Sequence, residues 1–186
     1  MKILVVGEFV WDIYEKSLFD SFQKIDVDVF SFKIKDYYLK HDDFLASFCE
    51  KIQNKFLFGP MINNINKQLL KCVGQINPDL VFIYSAVHIY SETIVKIKQN
   101  SSLVFTYHND DPFSEVPHKY YYRHYLNSSR FSDFNYVYRN KNINDFKLLG
   151  IKNTDILLPS YIPEKNYFIE SKKKYDIGFI GHFEDD

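Results

Sequence analysis

Long apolar runs are missing from this 186-residue chain. No stretch approaches the roughly 18 consecutive apolar residues that a membrane-spanning helix needs. The short apolar run before Gly7-Glu8 is too brief for a signal peptide and lacks a small-residue cleavage site. A cytoplasmic protein with no transmembrane segment is therefore expected. Cysteine is scarce: Cys49 and Cys72 stand far apart, with no CxxC and no Cys/His cluster, so neither a disulfide framework nor a zinc site is indicated. Both fall in predicted helices, where a buried, reduced thiol is the expectation. An excess of one charge is missing too. Lys plus Arg is 23 and Asp plus Glu is 24, a net charge of −1, so no polyanion-binding face is implied and no nucleic-acid partner is expected. The chain carries no GxGxxG, which removes the dinucleotide fingerprint.

Short apolar runs bounded by turn residues alternate with longer segments of helical spacing, the pattern of buried parallel strands connected by helices. The first strand is KILVVG (2–7), apolar on both faces as a central parallel strand must be. A helix over 14–24, a strand over 27–32 and a charged helical stretch over 36–56 follow. Gly59-Pro60 breaks that stretch, with Pro tolerated in the first turn of the next helix. There Ile62, Ile65, Leu69, Val73 and Ile76 share one face. Strands are expected at 80–84 and 103–108 around a helix over 91–99. Two shorter strands, 135–138 and 155–158, flank a helix with Ile143, Phe146 and Leu149 inside and Gly150 as its stop.

The predicted fold is α/β: a Rossmann-like parallel sheet flanked by helices over residues 1–158. Residues 159–174, ending in Lys172, Lys173 and Lys174, read as a solvated linker. YDIGFIG then reads as the opening strand of a second domain, cut short at 186.

Candidate functional residues gather where open α/β sheets place their ligands, past the carboxyl ends of the strands. Gly7 and Glu8 follow the first strand, and ordinary turn chemistry explains Gly7 as well as a binding role does. Ser85 and His88 follow the third, where a His is well placed to take a proton near neutral pH. The densest cluster is Tyr107-His108-Asn109-Asp110-Asp111-Pro112. So many polar groups are costly in a packed core, so they are expected to face solvent, a partner or a cleft. The paired carboxylates have four open roles: holding a divalent ion, orienting sugar hydroxyls, acting as base and helper, or capping the next helix. His118, Arg123 and His124 lie in a Tyr-rich segment that reads as an amphipathic helix on the sheet, with stacking on sugars or bases as the other reading.

In order along the chain, strand-GE, NPDLVFIYSAVHIYSETI, VFTYHNDDPF, VYRNKNINDFKLLGIKN, LLPSYIP and YDIGFIGHFED resemble the amino-terminal half of glycosyltransferases of the two-Rossmann-domain (GT-B) type, with the nearest look to the spore-maturation (CgeB-like) group. The resemblance implies an acceptor-side domain that faces a donor domain binding a nucleotide-sugar. Transfer to a sugar or protein acceptor would occur in the cleft between them, without metal or other cofactor. It places Asp110 and His108 as catalytic candidates and Gly7, Glu8, Ser85, His88, Asn109 and Asp111 against the acceptor. Gly178, Gly181 and His182 fall at the first lip of the donor domain. It also implies that this chain is inactive unless the second domain is supplied, by a longer chain or by a partner chain. A non-catalytic binding or receiver-like module is the alternative reading. Receiver domains pair acids after the first strand, whereas here the acid pair follows the fourth.

Overall fold

A computed structural model describes residues 1–38, 44–85, 87–100, 102–114, 120–158 and 161–178. Six parallel strands form one sheet: β1 (Lys2–Gly7), β2 (Asp28–Lys33), β3 (Leu80–Tyr84), β4 (Leu103–His108), β5 (Phe134–Val137) and β6 (Thr154–Ile156), in the order β2-β1-β3-β4-β5-β6. The helices among the described residues are α1 (Ser17–Lys24), α2 (Phe44–Phe56), α3 (Pro60–Ile76), α4 (Ser91–Gln99), α5 (Arg123–Ser129) and α6 (Asn140–Leu148). This is a Rossmann-like α/β arrangement, as the alternation of apolar runs and helical segments predicts.

Strand alternation sorts the core. Leu4, Val6, Val81, Ile83 and Val104 pack with Ile62, Ile65, Leu69 and Val73 of α3 and with Ile94 and Ile97 of α4. Phe82, Tyr84 and Tyr107, which point the other way, pack with Tyr14, Leu18, Phe105 and Tyr136. A third cluster, Tyr122, Tyr125, Val137, Phe146 and Ile151, seats α5 and α6. The inner face of α3 follows the predicted spacing, with one polar insertion. Asn66 is buried, donates to the Ile62 and His88 carbonyls, and accepts from the Tyr90 N–H and the Thr93 hydroxyl. One amide side chain thus fixes the loop between β3 and α4.

Several expected boundaries are corrected. The helix expected over 14–24 is a π-type turn, Asp12–Lys16, with non-helical Tyr14 (φ −100°, ψ −114°), followed by α1. The charged stretch from 36 begins as a 3-10 turn, Ile34–Tyr37, and breaks at Tyr38, whose extended backbone (φ −71°, ψ 134°) sends its ring toward β1. The fifth and sixth strands each begin one residue earlier than expected, and they end at Val137 and Ile156, one and two residues early. Cys49 is exposed and Cys72 only partly buried, so neither is the buried core thiol that its helical position predicts.

The 161–174 stretch has no helix or strand, and it is tied to the domain. Lys165 pairs with Asp12 and Glu164 with Lys24, both at 2.6–2.7 Å. No helix of the described residues is long and apolar enough to cross a membrane.

Candidate functional site

The strand order reverses direction between β1 and β3, so the loops leaving these two strands diverge and open a crevice at their carboxyl ends. A cavity of about 180 Å³ lies there, walled by residues from the ends of β1, β3 and β4 and from the π-type turn. Sequence reasoning named five of its lining residues, Glu8, Ser85, His108, Asn109 and Asp110, and the fold brings them together. An adjoining cavity of about 290 Å³ shares Tyr14, Asn109 and Asp110 and extends to Tyr138 and Arg139. A larger cavity, about 380 Å³, lies away from the strand ends between α1 and the 161–164 stretch.

The backbone is bent to make the crevice. Phe9 (φ 55°) and Ser85 (φ 47°), on the loops after β1 and β3, both sit in the left-handed region that non-glycine residues avoid. Ser85 is held there by its N–H on the Tyr107 carbonyl at 2.7 Å and by its hydroxyl, which donates to Asn109 Oδ1 at 2.6 Å.

Glu15, which sequence reasoning missed, decides how β1 ends. Its side chain lies over Gly7 and its Oε1 accepts the Glu8 N–H at 3.1 Å. A Cβ on Gly7 would collide with Glu15 Cγ, so the residue at this position must be glycine for Glu15 to lie there. Gly7 thus serves a close approach, by the chain's own carboxylate. Glu15 is only 5% exposed, and burial raises its pKa in spite of hydrogen bonds from backbone N–H groups. Nothing in the sequence marks it, because the helical pattern across 14–24 assigns it an ordinary surface position. Trp11, 66% exposed and also on the cavity wall, is legible only as the single Trp, close behind Gly7-Glu8.

The two carboxylates after β4 part company, and with them goes the paired-carboxylate reading. Asp110 is open, its side chain 65% exposed, while Asp111 is buried, its side chain 2% exposed. Asp111 accepts from the Asn142 amide at 2.7 Å and the Phe113 N–H at 3.0 Å and pairs with Lys141 and, at 3.6 Å, Arg139. Burial alone would raise its pKa, but the Lys141, Phe113 and Asn142 hydrogen bonds outweigh it and the net shift is downward. Asp111 therefore ties the loop to the start of α6. Of the cluster expected to face solvent or a cleft, Tyr107, His108 and Asp111 are buried, and Asn109 and Asp110 remain accessible.

His108 supports the turn that presents Asp110. Its Nδ1 accepts the Asp110 N–H at 3.1 Å, which puts the proton on Nε2, and its ring meets Tyr122 and Tyr125 edge-on. Burial lowers its pKa to about 3. His88 is just as deep. Its Nε2 lies 2.9 Å from Asn54 Oδ1 and 3.2 Å from the Tyr38 hydroxyl, and burial lowers its pKa to about 4. The Tyr38 hydroxyl donates to Glu8 Oε1 at 3.0 Å, so His88 reaches the cavity only through Tyr38 and Glu8.

Both histidines stay neutral in the folded chain down to acid pH, whereas in the unfolded chain they gain protons below about 6.5. Unfolded chains therefore bind more protons as pH falls, and stability falls with it. Between pH 6.5 and about 4 each histidine is expected to cost up to about 1.4 kcal/mol per pH unit. Urea unfolding across that range, with Cε1–H chemical shifts that hold at their neutral values from pH 8 to 5, checks this.

Two other candidates serve the fold. Arg123 donates to the Phe56 and Leu57 carbonyls and the His124 ring also reaches Leu57 O, so the pair caps the end of α2. That bears out the packed-helix reading for these two residues. His118 lies outside the described residues, as do Gly181 and His182. Gly178 is exposed with open space around it, and Tyr175–Gly178 shows no strand pairing. Comparison with models of known protein families and with curated proteins returns no match.

Proposed function

We propose that this domain binds the acceptor of a glycosyl transfer, with the acceptor hydroxyl directed at Asp110 and a nucleotide-sugar bound by a separate donor domain. One observation carries the reading. At the carboxyl ends of β1 and β3 a single cavity combines an exposed carboxylate, hydrogen-bonding Ser85 and Asn109, and the rings of Trp11, Tyr14, Tyr84 and Tyr121. Such walls suit a sugar, whose ring faces lie on aromatic surfaces while its hydroxyls take directed hydrogen bonds. The order of motifs shared with GT-B glycosyltransferases supports the same assignment by analogy of fold.

In a transfer with inversion, Asp110 Oδ takes the acceptor hydroxyl proton as the oxygen bonds to the anomeric carbon. The bond from that carbon to the nucleotide's phosphate oxygen breaks, and the nucleoside diphosphate leaves with the electron pair. His108 acts as a positioning residue, because its Nδ1 bond to the Asp110 N–H sets the turn. Holding donor and acceptor together is the larger part of the catalysis, so the isolated domain is expected to bind acceptor without turning over.

Protein-observed NMR titration with neutral mono- and disaccharides and with UDP-, GDP-, dTDP- and CMP-sugars tests the reading. Saccharides are expected to shift the Trp11 indole N–H and the Glu8 and Asp110 amides, and nucleotide-sugars to leave them in place. Asp110→Ala, at an exposed site, should leave stability within about 0.5 kcal/mol. In a two-domain enzyme it should lower the transfer rate by about 100-fold or more. Nucleotide-sugar binding in this cavity, or magnesium-dependent phosphorylation of Asp110 by acetyl phosphate, would overturn the reading. The latter would make the domain a receiver-like module instead.

A further inference from the structure

We propose that the acceptor is an oligosaccharide of at least two units, the second unit lying in the adjoining cavity against Tyr138 and Arg139; this rests on the acceptor reading above. The smaller cavity is walled by the ends of β1, β3 and β4 and by the π-type turn, and the adjoining one by the ends of β4 and β5 and by Tyr14. Those four strands are neighbours in the order β1-β3-β4-β5, so the two cavities run as one trough across the carboxyl edge of the sheet. Three strand spacings give the trough a length on the order of 14 Å, more than a single sugar ring takes up. Volume points the same way. At about 180 and 290 Å³ neither cavity alone reaches the roughly 300 Å³ at which small-molecule sites begin, and the two together pass it.

The junction joins the two cavities rather than dividing them. Tyr14, Asn109 and Asp110 line both. Asp110 brings an exposed carboxylate, which accepts hydrogen bonds. Asn109 Oδ1 is taken by the Ser85 hydroxyl at 2.6 Å, which leaves its Nδ2 as the donor. A sugar hydroxyl both donates and accepts, so this pair can meet hydroxyls of either unit. The far end of the trough adds a second set of contacts. Arg139 follows β5 in an extended conformation (φ −114°, ψ 135°), with its side chain 49% exposed. Its contact with Asp111, at 3.6 Å, is too long for a hydrogen bond, and Lys141 and Asn142 hold that carboxylate more closely. The N–H fork of the guanidinium therefore serves the hydroxyls of the second unit. Tyr138 beside it is 38% exposed and offers a ring surface for that unit's apolar face.

NMR titration and calorimetry with glucose and galactose beside cellobiose, laminaribiose, maltose and lactose, on wild type, Arg139→Ala and Tyr138→Ala, test this. At least one disaccharide is expected to bind about tenfold or more tightly than its monosaccharide, as one further charged hydrogen bond and one ring contact allow. It should shift the Tyr138 and Arg139 amides, which the monosaccharides leave in place. Either substitution should bring the disaccharide down to the affinity of the monosaccharide and leave monosaccharide binding as it was. Two variants on separate side chains guard against one that merely disturbs the Asp111 contact. Disaccharides that bind no better than monosaccharides, or a gain that survives both substitutions, would overturn the two-unit inference and leave the saccharide reading standing. A nucleotide-sugar that shifts the Tyr138 and Arg139 amides while saccharides shift those of Glu8 and Asp110 would give the second cavity to the donor and overturn the inference too. No response to any saccharide would overturn both readings.

Discussion

Asn66→Ala is expected to lower the unfolding free energy by about 3–5 kcal/mol, more than most single substitutions at buried polar positions. The side chain makes four hydrogen bonds in a region closed to water. Its Nδ2 serves the Ile62 and His88 carbonyls, and its Oδ1 serves the Tyr90 N–H and the Thr93 hydroxyl, all at 2.8–2.9 Å. Truncation leaves two donors without an acceptor, and each buried orphan costs about 1–3 kcal/mol. Thr93→Val removes one of the four bonds and should cost about 1 kcal/mol. Urea unfolding with unchanged m-values would register both losses as a shift of midpoint. The Ala variant should also loosen the β3–α4 loop, and with it the His88–Tyr38–Glu8 series, so hydrogen exchange at Val87–Tyr90 should rise ahead of the α3 amides. If Asn66→Ala unfolds at the wild-type midpoint, the loop is held by something other than this amide.

Asn66 also marks the limit of what patterning reveals. The apolar spacing of α3 is legible because Ile62, Ile65, Leu69 and Val73 each lose the same thing, water, on folding. A polar residue on that face leaves no such regular trace, since its role depends on which loop folds back onto it. The strands are legible for the same reason as α3: a central parallel strand is apolar on both faces, and KILVVG and LVFIY read that way directly. Helix beginnings are less so. Tyr38 leaves the helical path for a hydrogen bond to Glu8, a residue thirty positions earlier that no local window contains.

The site divides in the same manner. Its location is legible, because parallel strands deliver their following loops to one end of the sheet and polar residues there stand out against the apolar runs. Adjacent residues with opposite fates are not. Asp110 and Asp111 look equivalent in sequence, yet Asp111 turns inward because Lys141, Asn142 and the Phe113 N–H converge on it. Asp110 is left outward, on the turn that His108 braces. The aromatic walls escape notice because 18% aromatic content scatters Phe and Tyr widely along the chain, so that Tyr14 and Tyr121 carry no signal of their own.

Gly7→Ala is expected to damage stability and binding together, because at that position fold and site rest on the same atoms. The added methyl would collide with Glu15 Cγ and sit 2.7 Å from its Oε1, well inside van der Waals contact. Either the strand shifts or Glu15 swings away and gives up the Glu8 N–H, and overpacking of this size costs about 1–3 kcal/mol. In both cases the carboxylate leaves its place on the cavity wall, so ligand binding should fall at least tenfold, beyond what the stability loss explains. Glu15→Ala alone should cost less stability than Gly7→Ala, because it gives up hydrogen bonds from backbone N–H groups but also relieves the cost of burying a carboxyl group. In the double variant the clash has no partner, so its stability should recover to near that of Glu15→Ala while binding stays lost. The two substitutions would thus be strongly non-additive in stability, as contacting residues are. Additive losses in that cycle, or a Gly7→Ala chain that binds and unfolds as the wild type does, would show that Glu15 does not rest on Gly7 in solution. Glycine at the end of β1 would then answer to the turn alone, and the carboxylate would have no fixed place on the cavity wall.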